Sequence, residues 1–344
     1  MTMSTNPVTS RIIAMYVLLV SANVGAWIWA LLSFYHYPFL LGTAMLAYTF
    51  GLRHAVDADH IAAIDNVTRK LMQEGQRPVA VGFFFSLGHS TIVFALTLAI
   101  ALTSFALKDK FDPLESIGGV IGTGVSAFFL LALAVANILI LISIYRTFQH
   151  VKRGGRYVDE DLNLILGRRG FFGRIFRGIF RMIGRSWQMY PVGVLFGLGF
   201  DTATEVGLLG ISATAAAKGL PIWSILVFPT LFTVGMALVD STDSILMLGA
   251  YGWAFVKPMR KLYYNMTITF VSIVVALLIG GIEVLGLVGD EFDLKGGFWE
   301  MMDLLNNNFG VIGFVIIGVF VLSWIVSIAV YRMNRYDEIE VVPQ

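Results

Sequence analysis

The sequence predicts an all-α membrane protein of eight transmembrane helices, N-in and C-in, with an inverted-topology internal repeat. Three observations predict it. First, 57% of the 344 residues are hydrophobic and 14% are charged, with a mean hydropathy of +0.77. A soluble domain is about half apolar and about a quarter charged. Second, stretches long enough to cross a bilayer, which takes roughly 20 apolar residues, recur at 11–34, 39–64, 80–106, 116–147, 189–216, 222–250, 265–289 and 308–332. Third, the cations sort by side. With the N-terminus inside, the inner segments hold 19 Lys and Arg and the outer loops hold 4, with Arg53 inside a span. Such an excess marks the cytoplasmic face.

Each element has its own justification. The polar residues Met1–Ser10 contain no basic segment ahead of a cleavage site, so the first span reads as a retained helix. The second and fifth spans are less apolar than the rest because they carry charges. Between the fourth and fifth lies the longest loop, 148–188, which is strongly basic. Its apolar residues recur at near-helical spacing, which predicts an amphipathic helix on the anionic cytoplasmic leaflet. The acidic stretch Asp290–Asp303 falls outside, and Glu283, near the outer end of its helix, reads as solvated. The chain thus divides into a four-helix half at 1–147, the basic loop at 148–188 and a second four-helix half at 189–344.

The halves look related. Phe50-Gly51-Leu52 through Asp59 aligns with Phe196-Gly197-Leu198 through Glu205, and Gly88-His89-Ser90-Thr91 with Val239-Asp240-Ser241-Thr242. The second helix runs inward and the fifth outward, so the repeat is inverted. Secondary transporters are built this way, with the substrate site where the repeats meet.

Ionisable residues inside spans are costly and mark function by default. Here they cluster. The second span carries Arg53, His54, Asp57, Asp59 and His60. The third carries His89 and Ser90, the fifth Asp201, Thr202 and Glu205, and the sixth Asp240, Ser241 and Asp243. Six acids against one Arg require cations, protons or water to offset them. His54, Asp57 and His60 are spaced three apart, along one slowly drifting helix face. On a regular helix His54 and His60 stand about 9 Å apart. They bind one ion only if the helix is broken, with Gly51 a place to unwind. Otherwise they are two successive sites on a path. Asp59 points off that face, toward a supporting role for His89 or His60 or a pair with Arg53. Asn23 and Asn137 read as ligands or as interhelical hydrogen bonds.

There are no cysteines, which excludes disulfides, thiolate sites and thiol catalysis. Three His among carboxylates without thiols suit a borderline divalent ion such as Ni, Co or Zn, and argue against Mg²⁺. No phosphate loop of the G-x-x-x-x-G-K-[ST] type is present, so no ATPase is evident, and no nucleic-acid recognition fold accompanies the basic loop.

Four stretches resemble the nickel/cobalt transporter (NiCoT) permease family: Arg53–Ile61, Phe85–Thr91, Leu198–Glu205 and Gly235–Asp243. The first contains that family's H-x4-D-H pattern as His54, Asp59 and His60. The resemblance implies high-affinity uptake of Ni²⁺ and/or Co²⁺ across the cytoplasmic membrane by a non-enzymatic, multi-pass permease. It implies essential roles for His54, Asp59 and His60, and an influence of Asn23 and Val56 on metal choice. Ser241 is a mild departure that keeps the hydroxyl. The expected metal residues are His54, Asp57, Asp59, His60 and His89. The expected path or supporting residues are Asn23, Arg53, Ser90, Asp201, Thr202, Glu205, Asp240, Ser241 and Asp243. The metal is cargo, no permanent cofactor is expected, and the expected partners are the ion and membrane lipid. The alternatives are an exporter of a metal or organic cation, or a haem protein using His54 and His89.

Overall fold

The computed structural model describes residues 7–103, 108–153, 183–198, 203–254 and 258–333, and every regular element among them is helical. In chain order these are α1 (Pro7–Phe34), α2 (Pro38–His54), α3 (Ala58–Gln73), α4 (Val81–Thr103) and α5 (Lys108–Lys152). A 3-10 turn at Ser186–Gln188 leads into α6 (Met189–Phe196). Then come α7 (Ala203–Ala217), α8 (Ile222–Ile225), α9 (Val227–Ala254), α10 (Pro258–Glu291), α11 (Gly297–Asn306) and α12 (Phe309–Met333). The basic stretch expected to form an interfacial helix lies outside the described residues, as do Asp201 and Thr202.

Among the described residues, six stretches are long and apolar enough to cross a membrane: Pro7–Phe34, Val81–Leu102, Thr123–Lys152, Ile222–Gly252, Leu262–Glu291 and Val311–Met333. They coincide with six of the eight expected spans. The other two expected spans are the ones that carry the charges, and each is two shorter helices. The span at 39–64 is α2 and α3, and the span at 189–216 is α6 and α7.

The first break has a clear local cause. The amides of Val56 and Asp57 bond three residues back, to Arg53 and His54, at 3.0 and 2.9 Å. This tightens the last turn of α2. Asp57 then turns extended, with φ −64° and ψ 147°, and α3 restarts when the Ile61 amide bonds the Asp57 carbonyl. On the far side α12 approaches so closely that a Cβ at Gly313 would fall on the Val56 carbonyl. Only glycine lets the two backbones meet there.

α3 lies at the centre of the molecule. All of its residues except Asp59 and Gln73 are buried. The positive-inside reading placed Arg69 and Lys70 in a cytoplasmic loop. Instead they are helical, with 1% and 3% of their surface exposed. Polar groups around α3 bond both side chains, Arg69 through its two terminal nitrogens and Lys70 through Nζ, so a segment too polar to read as membrane-embedded is nonetheless interior. Two further expectations are corrected. Glu283 is buried, not solvated, and accepts from Ser126 Oγ at 2.7 Å. The acidic stretch after α10 contains the helix α11.

The helix ends sort into two layers. In one, the start of α1 packs with the ends of α3, α5, α9 and α12 and the first turns of α10, through Ile12, Met72, Phe148, Tyr251, Tyr263 and Tyr331. In the other, the end of α1 packs with α2, α7, α8 and the first turns of α9, through Phe34, Ala47, Leu208, Ile225 and Phe228. Between them a core of Ile61, Ile64, Val67, Phe85, Leu130, Phe196 and Ile279 surrounds α3. The outward faces of α1 and α12 carry large exposed apolar side chains such as Val17, Leu32, Phe314 and Leu322, as lipid-facing helices do.

Candidate metal-binding site

The break between α2 and α3 solves the spacing problem of the second span. His54 is the last residue of α2 and His60 lies in the first turn of α3. With three non-helical residues between, their rings come to 4.7 Å centroid to centroid. His89 of α4 completes a triangle, 4.7 Å from His54 and 5.0 Å from His60. One ligand atom from each of the three lies within 4.8 Å of the others, and all three side chains are buried.

A carboxylate holds each ring. His54 Nδ1 lies 3.0 Å from Asp57 Oδ2. His60 Nδ1 lies 3.3 Å from Asp240 Oδ2, which also accepts from Ser86 Oγ at 2.6 Å. His89 Nε2 lies 2.7 Å from Glu205 Oε1. With Nδ1–H of His54 and His60 donating to these acids, their Nε2 lone pairs are left for the centre. A hydrogen bond on one ring nitrogen sets the tautomer and leaves the other for a metal. His60 Nε2 and His89 Nδ1 are buried with no hydrogen-bond partner, a costly condition unless something fills it.

Asp57 explains its own position. It is the N-cap of α3, where a carboxylate ordinarily accepts from the first-turn amides. No such side-chain bond is made, because the carboxylate turns back to His54. The C-terminal ends of α2 and α6 carry partial negative charge and terminate at the site, which adds to its preference for a cation.

The His54 and His89 Nε2 atoms are 2.9 Å apart. Two bonds of roughly 2.1 Å at a right angle, to one ion, would place donor nitrogens about 3 Å apart. Ligands on opposite sides of a haem iron would stand about 4 Å apart by the same bond lengths. The pair is thus too close to stand on opposite sides of a haem iron; here the two nitrogens are within hydrogen-bond distance, and His89 Nε2, which also meets Glu205, serves an ion only by giving up those partners.

The packing that sets these distances is tight. A Cβ at Gly82 of α4 would fall on the Asp240 carbonyl of α9. That contact brings Ser86 up to Asp240. Phe85 closes one side edge-on to His60 at 4.8 Å, and Phe232 lies 5.5 Å from His54.

The remaining expected residues fall into three groups. Glu205 and Asp240 join the histidines directly. Ser90, Ser241 and Asp243 are near-buried, and each has an oxygen without a partner. Asp59 is half-exposed in the first turn of α3 and Arg53 is exposed, with no ion pair between them among the described residues. Asn23 is a bracket. Its Nδ2 donates to the Leu19 and Val234 carbonyls at 2.8 and 3.2 Å, and its Oδ1 accepts from Tyr48 OH at 3.0 Å. Asn137 likewise donates to Asn66 Oδ1 at 2.6 Å.

Sequence reasoning missed a second polar group further along α3. Asp65 accepts from Tyr251 OH and, at 2.7 Å, from Ser272 Oγ. Arg69 donates to Asn66 Oδ1 at 2.9 Å and Thr269 Oγ1 at 3.0 Å. The spacing of 65 and 69, one helical turn, was the available signal. It went unused because the span was ended at residue 64.

The profile of the NicO family, described as high-affinity nickel-transport protein, matches residues 40–330. The chain is 61% identical to the high-affinity nickel transport protein of Cupriavidus necator, over 98% of this chain and 96% of that one. It is 44% identical to the nickel transporter NicT of Mycobacterium tuberculosis, over 95% and 90% of the two chains. It is 40% identical to the cobalt transport protein NhlF of Rhodococcus rhodochrous, over 83% and 81%. No solved structure matches. The histidine triangle lies inside the matched region, and the chain belongs to the NicO family of high-affinity nickel-transport proteins.

Proposed function

We propose that this protein imports Ni²⁺, and with it Co²⁺, across the cytoplasmic membrane as a secondary permease driven by the membrane potential. The observation that carries the proposal is the buried triangle of His54, His60 and His89, with each imidazole held by its own carboxylate. Such a set replaces part of the hydration shell of a borderline divalent ion and has little to offer Mg²⁺. The printed names of the relatives, nickel transporters and one cobalt transporter, support the same substrate pair.

Eight crossings are the topology we favour. Six are continuous, and α2–α3 and α6–α7 are broken elements. Two features support it. Each break lies within the aligned segments of the internal repeat, 50–59 and 196–205, and the helix ends sort into layers that put the start of α1 and the end of α12 on one side. Broken helices at the repeat interface are where secondary transporters hold ions. A doubly charged ion gains about 4.6 kcal/mol per 100 mV, inside negative. At about 1.4 kcal/mol per decade this is roughly three decades of accumulation.

The ion enters from outside, drawn by Asp57, Asp59, Glu205 and Asp240, and is held by the three imidazoles. Inversion of the two repeats then opens the site inward, with Asp243 and Ser241 on the exit side.

The test is uptake of radiolabelled Ni²⁺ into proteoliposomes held inside-negative, with Co²⁺, Zn²⁺ and Mg²⁺ as competitors. Saturable uptake, blocked by Co²⁺ and not by Mg²⁺ and lost in His54→Ala, is the expected result. Folded wild-type protein that takes up no nickel, yet extrudes it from loaded vesicles, would replace import by export.

A further inference from the structure

We infer that a groove beside the start of α1 binds the headgroup of an anionic phospholipid, with Arg11 and Arg77 taking its phosphate. The inference needs only the membrane setting of the fold and is independent of the metal cargo.

The groove has a volume of about 400 Å³, within the range of small-molecule sites. Three segments distant in sequence line it. α1 contributes Arg11, Met15 and Leu18, the link between α3 and α4 contributes Arg77 and Val79, and the 3-10 turn before α6 contributes Ser186. Arg11, Met15 and Leu18 are spaced four and three apart, so they stand one above another on a single helix face. Arg77 comes to the same groove from the other side. It precedes Pro78, and the residue before a proline is biased away from the helix. Its guanidinium lies over the end of α9, where a Cβ at Gly252 would stand 3.3 Å from Nη1.

Basic residues are common at a cytoplasmic rim, and singly they imply no ligand. Here two arginines, both exposed, line one cavity, and among the described residues neither has a carboxylate within ion-pair distance. Like charges around one groove repel, and an anion between them relieves the repulsion. The planar guanidinium fork matches the oxygens of a phosphate.

The groove is held in shape from within the protein. Lys70 Nζ donates to the Ile183 carbonyl, and Gln76 Nε2 donates to the Gly184 carbonyl at 2.8 Å. Gln188 Oε1 accepts from the Gly184 and Arg185 amides at 2.6 and 2.9 Å. These bonds pin the turn that carries Ser186 to the end of α3. A site shaped before binding loses little affinity to ordering.

The surroundings favour a lipid over a soluble phosphate. Ile13, Val17 and Leu18 of α1 are large, apolar and exposed. Trp187, next to Ser186, is exposed as well, and tryptophan is enriched where membrane meets water. Arg11 and Leu18 are two turns apart, about 10 Å along the helix. A charged end and an apolar wall at that separation suit a phosphate attached to acyl chains. The orientation proposed above places the groove at the cytoplasmic leaflet, whose anionic lipids attract basic segments.

The test uses the full chain, purified in detergent and stripped of lipid. Phosphatidylglycerol, phosphatidylcholine or inorganic phosphate is added, and affinity is read from the rise in melting midpoint, since such stabilisation follows binding. Phosphatidylglycerol is expected to stabilise the wild type at concentrations where the other two have little effect. Arg11→Gln with Arg77→Gln is expected to lower the affinity for phosphatidylglycerol about 10-fold or more. Lys218→Gln with Lys295→Gln removes the same charge away from the groove, and should stay within about 3-fold of wild type. Equal losses in the two double variants would overturn the site and leave only bulk attraction. Equal stabilisation by phosphatidylcholine would overturn headgroup recognition, and equal stabilisation by inorganic phosphate would overturn the lipid as ligand. If the arginine double variant does not fold, Ser186→Glu is read in the same way. It sets a negative charge in the groove and keeps both arginines. A similar loss is expected, and unchanged affinity would overturn the site.

Discussion

The two ends of α3 are equally buried and oppositely finished. At its start, around His60, carboxylates occupy one nitrogen of each imidazole and leave others open. His60 Nε2 and His89 Nδ1 have no partner. About one and a half turns further on, Asp65 and Asn66 have their oxygens bonded by Tyr251, Ser272, Arg69 and Asn137, and the atoms left without partners there are Arg69 Nε and Gln73 Oε1. The difference separates a region with open ligand atoms from one whose oxygens are already bonded. Vacant, oriented nitrogen lone pairs give affinity for a borderline metal. Oxygens already engaged by internal donors give little affinity.

The comparison breaks first at the histidines. His60→Ala removes a ligand whose Nε2 has no other use, and is expected to lower Ni²⁺ uptake about 100-fold or more, beyond the range of a supporting residue. Stabilisation of the purified protein by added Ni²⁺, measured as a thermal shift, should vanish with it, since ligand stabilisation follows binding. Next is Asp240→Asn. Its carboxylate faces His60 Nδ1 at 3.3 Å, and loss of such an orienting acid costs about 10- to 100-fold in metal affinity. Asp65→Asn, equally buried but facing Tyr251 and Ser272 and no histidine, is expected to leave equilibrium affinity within about 3-fold. Equal losses of affinity in the two acid variants would erase the distinction between the ends of α3.

Much of the start of α3 was legible in the sequence, and almost none of its end. Charged residues within apolar spans announced the first cluster, and the i, i+3, i+6 spacing posed the right geometric problem, that His54 and His60 share an ion only across a break. The break itself was placed at Gly51. It falls at 55–57, because the bonds from Val56 and Asp57 close three residues back and Asp57 leaves the helix to reach His54. Gly51 serves another purpose, close contact with the backbone of Phe232. The end of α3 was hidden by its polarity. Asp65, Asn66, Arg69 and Lys70 resemble the start of a cytoplasmic loop when hydropathy alone is read. Their burial depends on partners distant in sequence: Tyr251, Thr269, Ser272, and the Ile183 carbonyl that accepts from Lys70. The roles of Asp240 and Glu205 as partners of particular histidines were likewise invisible, since no local spacing pairs residue 60 with 240 or 89 with 205.

Packing around the site gives a third, smaller effect. Gly82→Ala puts a methyl group against the Asp240 carbonyl, and α4 and α9 must part to admit it. Overpacking of this kind costs about 1–3 kcal/mol, and here it also draws Ser86 away from Asp240. Thermal denaturation should report a lower midpoint, and Ni²⁺ binding a weaker site. Gly25→Ala on α1, where a Cβ meets nothing within 4 Å, is the matching control and should leave both unchanged. If the two variants behave alike, close approach at Gly82 does not set the site geometry.

The smallest effect separates bracing from coordination. Asn23 spends both ends of its amide on protein partners, donating to Leu19 and Val234 and accepting from Tyr48. An ion seeking its Oδ1 would have to displace the Tyr48 hydroxyl. Asn23→Ala therefore loses a link among α1, α2 and α9, worth about 0.6 kcal/mol on average for a hydrogen bond between membrane helices. It should lower the melting midpoint slightly and leave the Ni²⁺ to Co²⁺ competition ratio in proteoliposomes unchanged. A shifted ratio without loss of stability would bring Asn23 into the selection of the metal, and would extend the coordinating region from the start of α3 across to α1.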